Sequence, residues 1–219
     1  MNKRLSEIMS NYRAAYNSEK AAGMKAYMKN KFEFLGLQKP ERIALRKTYL
    51  KELKAEEKID WNIVWTLWDQ PEREFQYLAL AYLDTMKNFL EENDINKMEK
   101  LIVNKSWWDS VDGIAPLVGF MNIKYPTLKQ GKINAWINEA NIWLIRVSII
   151  FQLKYKENTD TTFLSKTILW NCGTKEFFIN KSIGWALREY SKTDPDWVRI
   201  FINNNTLHSL SVREGGKYV

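Results

Sequence analysis

The feature that most constrains this fold is a recurrence of about 35 residues carried on helical periodicity. In LWDQPEREFQYLALAYLDTM the apolar residues Phe75, Leu78, Ala79, Tyr82, Leu83 and Met86 follow the i, i+3, i+4 spacing of one helical face. NIWLIRVSIIFQLKY shows the same period with a wider apolar face, which predicts a more deeply buried helix. KEFFINKSIGWALREYSK shows it again and ends in a basic last turn. Aligned from Gln70, Lys105, Ala140 and Thr174, four segments begin 35, 35 and 34 residues apart. Long alternating patterns of the β type are absent. Helix pairs repeating at this interval bury their apolar faces only by stacking on their neighbours. The expected fold is therefore all-α, an α-α superhelix in a single domain over residues 1–219, with equivalent helices lining one concave surface. The punctuation agrees. Pro71 behind Asp69, Pro40 with Glu41 after Gly36, and Asp194-Pro195-Asp196 all read as helix openings.

Charge narrows the partner. The chain carries 33 Lys and Arg against 26 Asp and Glu. The excess is uneven: residues 111–219 hold 14 basic and 9 acidic side chains, whereas residues 1–110 hold 19 and 17. A basic half points to a polyanion, with nucleic acid first and an acidic membrane surface second. An acidic protein partner of a helical scaffold is a third reading. No run of about 18 apolar residues exists to span a bilayer, and the polar opening MNKRLSEIMS has no apolar signal core. The single Cys172 allows no internal disulfide and suits a reducing, cytoplasmic setting.

Much chemistry is excluded by what is missing. One histidine, His208, and one cysteine cannot build the usual zinc sites or a His-dependent triad. His208, in TLHSLS, reads as a surface or capping residue. Gly131-Lys132 lacks the flanking residues of a phosphate loop. No metal and no nucleotide cofactor are expected, so chemistry falls to carboxylates, cations and aromatic faces.

Tryptophan is abundant, at ten residues. Ten indoles suit either a heavily aromatic core or an indole-lined cleft. In LIVNKSWWDSVDGIAPL, Trp108 and Asp112 are four apart and share a helical face, while Asp109 turns elsewhere. Trp185 falls two repeats later in a corresponding helix. Two indoles and a carboxylate converging in a water-poor cleft suit cleavage of an N-glycosidic bond to a cationic base. An indole face attracts positive charge by roughly 0.5–2 kcal/mol, and a carboxylate stabilises an oxocarbenium-like centre. A cationic base leaves without a strong general acid, so a site without histidine suffices. Plainer roles exist for each residue: Trp108 and Trp185 as core, Asp112 before Gly113 as a helix cap, Arg146 as a structural ion-pair partner.

At these residues the chain resembles the HEAT-like-repeat DNA glycosylases of the AlkD type, the bacterial DNA alkylation repair family. YMKNKFEFLGLQKPER, LWDQPEREFQ, LIVNKSWWDSVD, NIWLIRVSIIFQLKYK and KEFFINKSIGWALREYSKT carry the likeness, over roughly residues 24–213. The resemblance implies HEAT-like repeats cradling duplex DNA on a concave face. It implies a monomeric, cofactor-free enzyme that excises 3-methyladenine and 7-methylguanine without flipping the base into a pocket. Trp108 and Trp185 then match the pair that packs on the lesion's deoxyribose, and Asp112 the carboxylate that stabilises the cation. Arg146 matches a cleft arginine on the DNA backbone. Tyr27, Gln38 and Pro40 match contacts to the opposite strand, and Lys154, Arg188, Lys192 and Arg213 match basic groove positions. Lys39 stands where the family pattern has threonine, which adds a cation beside that strand. The sequence ends with SVREGGKYV where relatives are expected to continue in helix, and a weaker grip on DNA is expected from that. The alternative is a member that binds damaged or branched DNA without turnover.

Overall fold

The computed structural model describes residues 3–219. Among these residues the fold is all-α, and the one β feature is an isolated bridge between Glu33 and Glu72. Backbone contacts divide the chain into two compact units, Met1–Leu90 and Glu91–Val219.

The first unit holds α1 (Lys3–Ala14), α2 (Ser18–Tyr27), α3 (Lys39–Lys54), α4 (Trp61–Asp69) and α5 (Arg73–Thr85). The apolar period read from the sequence is the buried face of α5: Phe75, Leu78, Ala79, Tyr82 and Leu83 are all enclosed. Tyr12 of α1 stacks on Phe75 at 5.7 Å between ring centroids, so α1 closes over the same face. Pro40 lies in the first turn of α3, where its missing N–H costs nothing. The Glu41 carboxylate caps that turn by accepting from the Gln38 N–H at 2.6 Å. Pro71 does not open α5, which starts two residues later at Arg73 behind Glu72.

Glu74 organises the segment before α3. Its carboxylate accepts from the backbone N–H groups of Leu35, Gly36 and Leu37 at 3.0, 2.9 and 3.1 Å. Three donors converge because Gly36 turns the chain through φ +82°. A side chain is also excluded there by contact, since a Cβ on Gly36 would lie 2.3 Å from the Asn17 carbonyl oxygen. The loop that presents Gln38, Lys39 and Pro40 is therefore fixed by a buried carboxylate.

The second unit holds α6 (Ile95–Val103), α7 (Trp108–Lys124), α8 (Ile142–Ile150), α9 (Thr161–Asn171), α10 (Phe177–Tyr190), α11 (Pro195–Asn204) and α12 (Ser209–Gly215). The recurrence marks helix starts: α5, α7 and α10 begin at Arg73, Trp108 and Phe177, and α8 one residue before Trp143. As its all-round apolar sequence predicts, α8 is buried from Trp143 to Ile150. Asp194 caps α11 by accepting from the Trp197 N–H at 2.9 Å. His208 is a cap as well: its Nδ1 accepts from the Leu210 N–H at the start of α12.

Gly36→Ala tests the Glu74 nest. It forces a side chain into a left-handed backbone against a carbonyl, and is expected to cost on the order of 2–3 kcal/mol. Urea denaturation followed by tryptophan fluorescence reads the loss; an unchanged midpoint contradicts the close contact.

Candidate active site

The second unit brings Asp112, Arg146 and Trp185 together, one from each of α7, α8 and α10. Asp112 sits inside α7 rather than at its end, so it is not the helix cap its place before Gly113 suggests. Both carboxylate oxygens accept from Arg146, Oδ1 from Nε at 2.7 Å and Oδ2 from Nη2 at 2.9 Å. This fork is the bidentate geometry in which a guanidinium binds a carboxylate best. Arg146 donates its remaining terminal nitrogen, Nη1, to the Phe178 carbonyl at 2.7 Å. The guanidinium carbon lies 6.0 Å from the Trp185 ring centroid. Arg146 therefore spans three helices from a side chain only 5% exposed, whereas the Asp112 carboxylate keeps 19%. The carboxylate is thus the more exposed member of the pair.

Trp108 is the first residue of α7, one turn before Asp112 on the same face. Both Trp108 and Trp185 are half-buried. The doublet Trp107-Trp108 thus divides its work. Trp107 packs at 5.8 Å from Trp143 and 5.0 Å from Phe178, which are themselves 5.0 Å apart. Such edge and tilted contacts are each worth about 0.5–1.5 kcal/mol beyond burial. They lock the residue whose carbonyl holds Arg146. Pro116, inside α7, has no N–H to offer the Asp112 carbonyl four residues back.

Burial pushes the Asp112 carboxyl above its ordinary 3.8, and by more than the hydrogen bonds and charge of Arg146 pull it down. A carboxylate held charged against desolvation gains most from positive charge that develops beside it.

The cations expected along the groove gather around two further carboxylates. Lys154 and Lys192 meet on Glu189, at 3.2 Å and 2.6 Å. Arg188 pairs with Glu214 at 2.9 Å, and Arg213 is exposed on the adjoining turn of α12. In the first unit Tyr27 and Gln38 line a cavity of about 440 Å³ with Lys20, Arg42 and Tyr77. Arg42 lies over the Tyr77 ring at 4.2 Å. Lys39 and Pro40 are exposed beside Gln38.

Sequence reasoning missed Phe178 and the two carboxylates Glu189 and Glu214. The signal for Glu189 was local, because Glu189 and Lys192 are three apart on one helix. Glu214 meets its partners on α10 across 26 residues or more, and no local spacing announces that.

These features define an all-helical protein with a partly buried Arg146–Asp112 pair beside the Trp185 indole. The sequence profile of the DNA alkylation repair enzymes matches residues 8–219, and the chain belongs to that family. No curated protein shows significant similarity. Among solved structures, a predicted DNA alkylation repair enzyme from Enterococcus faecalis is 35% identical, with a TM-score of 0.87 over 93% of this chain and 96% of that one. Among the described residues no helix is long and apolar enough to cross a membrane.

Arg146→Met should leave the Asp112 carboxylate charged and unpaired in a partly buried site, at a cost of about 3 kcal/mol. Adding Asp112→Asn should recover most of that loss. Denaturant midpoints of the two single variants and the double complete the cycle, and additive losses contradict direct pairing.

Proposed function

We propose that this DNA repair enzyme is a monofunctional, cofactor-free glycosylase that hydrolyses the N-glycosidic bond of cationic alkylated purines, 3-methyladenine and 7-methylguanine, in duplex DNA. The observation that carries the reading is the partly buried Asp112 carboxylate, gripped on both oxygens by Arg146, whose guanidinium lies 6.0 Å from the Trp185 ring, with Trp108 one helical turn before Asp112. In the reaction the C1′–N bond breaks and its electron pair leaves with the base, which becomes neutral. Positive charge passes to the deoxyribose ring, where the carboxylate and the indole faces stabilise it. Water then adds to C1′, loses a proton, and leaves an abasic site. The ring contacts need only the sugar, which is compatible with chemistry on a base that stays out of any pocket. No lysine lies in the set, so strand cleavage through a Schiff base is not part of the reading. The chain acts as a monomer in this scheme, with Tyr27, Gln38, Lys39 and Pro40 as contacts of the first unit to DNA. Arg146 serves by orienting Asp112, since its Nε, Nη1 and Nη2 are already engaged within the protein.

A second reading has one observation in its favour. Arg146 engages both oxygens of Asp112 and offsets its charge, which suits a member that binds damaged DNA without turnover. One assay separates the two. Duplex containing 7-methylguanine is incubated with enzyme in excess, and released base is measured. The glycosylase reading expects release by wild type and a fall of about 10²–10³-fold in Asp112→Asn, the usual scale for one electrostatic partner. Tight duplex binding with intact lesions supports the second reading instead.

The pH profile gives an independent check. The ionised carboxylate is the active form, and its pKa is raised. Activity is therefore expected to be complete well above that value and to fall as the pH drops through it, with a midpoint above 3.8. Asp112→Asn should lack this acid limb; the same limb in wild type and variant assigns it to another group.

A further inference from the structure

Outside the Asp112 site, the densest charge cluster lies where α12 crosses α10. The crossing is unusually close. A Cβ on Gly184 would meet the Glu214 Cβ at 2.5 Å, and one on Gly215 would meet the Leu187 Cβ at 2.9 Å. Two glycines let the helix backbones approach, and Gly215 is thus a packing position rather than only a poor helix residue. The approach sets Glu214 directly against α10. Its Oε1 pairs with Lys181 at 3.0 Å, and its Oε2 with Arg188 at 2.9 Å and Lys217 at 3.2 Å.

Three cations on one carboxylate leave an excess of two positive charges. Their arrangement is layered: the Glu214 side chain is 8% exposed, and those of Lys181, Arg188 and Lys217 are 39%, 26% and 46%. The carboxylate forms a floor and the cations face solvent. Each keeps N–H donors beyond the one given to Glu214, because an ammonium carries three and a guanidinium five. Lys181 lies four residues before Trp185 and Arg188 three after it, so all three share one stripe of α10.

We propose that Lys181, Arg188 and Lys217, held apart and oriented by Glu214, form a seat for a backbone phosphodiester of duplex DNA beside Trp185. The seat deepens the glycosylase reading and rests on its premise that the chain binds DNA. Glu214 is a positioning residue, and the three cations are the contacts. The oxyanion takes the outward donors while the floor keeps the cations from collapsing together.

The test is duplex binding followed by fluorescence anisotropy over a series of NaCl concentrations, with lesion-bearing and undamaged oligonucleotides. Each phosphate contact contributes about 0.9 to the slope of log affinity against log salt. The double variant Lys181→Gln/Lys217→Gln should lower that slope by about 0.9 for both duplexes and weaken binding in 0.1 M salt by about tenfold. Lys181→Arg/Lys217→Arg, which keeps both charges, should retain the wild-type slope. Lys166→Gln, on α9 away from the cluster, should also leave it unchanged. An unchanged slope in the Gln variant overturns the seat, as does an equal loss in Lys166→Gln, which assigns the effect to net charge. Thermal melting of the Gln variant should fall only modestly, since Arg188 still pairs with Glu214; a slope loss with a large drop in melting temperature that the Arg variant shares also overturns it. If wild type binds no duplex, the reading of the protein as a DNA enzyme fails. If it binds and releases base with a slope the Gln variant does not change, only the seat fails.

Discussion

Arg146 is the side chain on which the candidate site depends. Its guanidinium is enclosed and joins α7 through Asp112, α10 through the Phe178 carbonyl, and the Trp185 ring at longer range. A buried cation is costly unless every donor finds a partner. That requirement makes the geometry reciprocal. Asp112 must present both oxygens and Phe178 its carbonyl, so displacing any one helix leaves a charge or an N–H unsatisfied. Arginine suits this place because its donors lie in a fixed plane that matches both carboxylate oxygens edge-on, whereas the three donors of an ammonium diverge from a single point.

The aromatic cluster behind the guanidinium has a mechanical part in this. Trp107, Trp143 and Phe178 pack mutually at 5.0–5.8 Å. They fill the space behind the first turns of α7, α8 and α10 and so fix where these helices begin. The polar contact and the apolar cluster reinforce one another: the rings place the Phe178 carbonyl, and the carbonyl orients Arg146. The Asp112 carboxylate is the more exposed member of the pair. Its desolvation raises the free energy of the charged form in the resting protein, and a cation arriving beside it relieves that penalty. The pairing with Arg146 limits the effect without removing it.

Legibility from sequence followed the range of each interaction. Helix content was readable because the i, i+3, i+4 period of α5 and the uniform apolarity of α8 are local. The spacing of Trp108 and Asp112 was readable for the same reason, being one turn of one helix. The Asp112–Arg146 contact was weighed only as a plain structural pairing, since 34 residues separate its members and no spacing rule joins them. Pro71 misled by two residues because an extended Gln70–Glu72 segment precedes α5. Glu74 and Glu214 were missed because an acidic residue inside a helix ordinarily reads as solvent-facing. Their burial is created elsewhere in the chain, by the turn at Gly36 and by the Gly184–Gly215 crossing.

The buried and half-buried carboxylates share one physical logic. Glu74 accepts three backbone N–H groups, Asp112 one guanidinium, Glu189 two ammonium groups and Glu214 three cations. In the first case the partners are neutral dipoles and burial keeps the carboxyl above its ordinary range. In the last, the surrounding lysines hold Glu214 down at about 2. The difference lies in what each carboxylate must do. Glu74 shapes a loop and needs only donors. Glu214 must stay ionised, because a protonated Glu214 would leave three like charges repelling one another at the surface. Its lowered pKa means that the stabilisation it gives is complete above the ordinary range of a glutamate and is lost only as the pH falls toward 2. The Asp112 site titrates in the opposite sense, since its carboxyl is raised. Acidification therefore neutralises Asp112 before it loosens the crossing of α12 on α10, and a pH range exists in which the cations around Glu214 remain paired while Asp112 has already lost its charge.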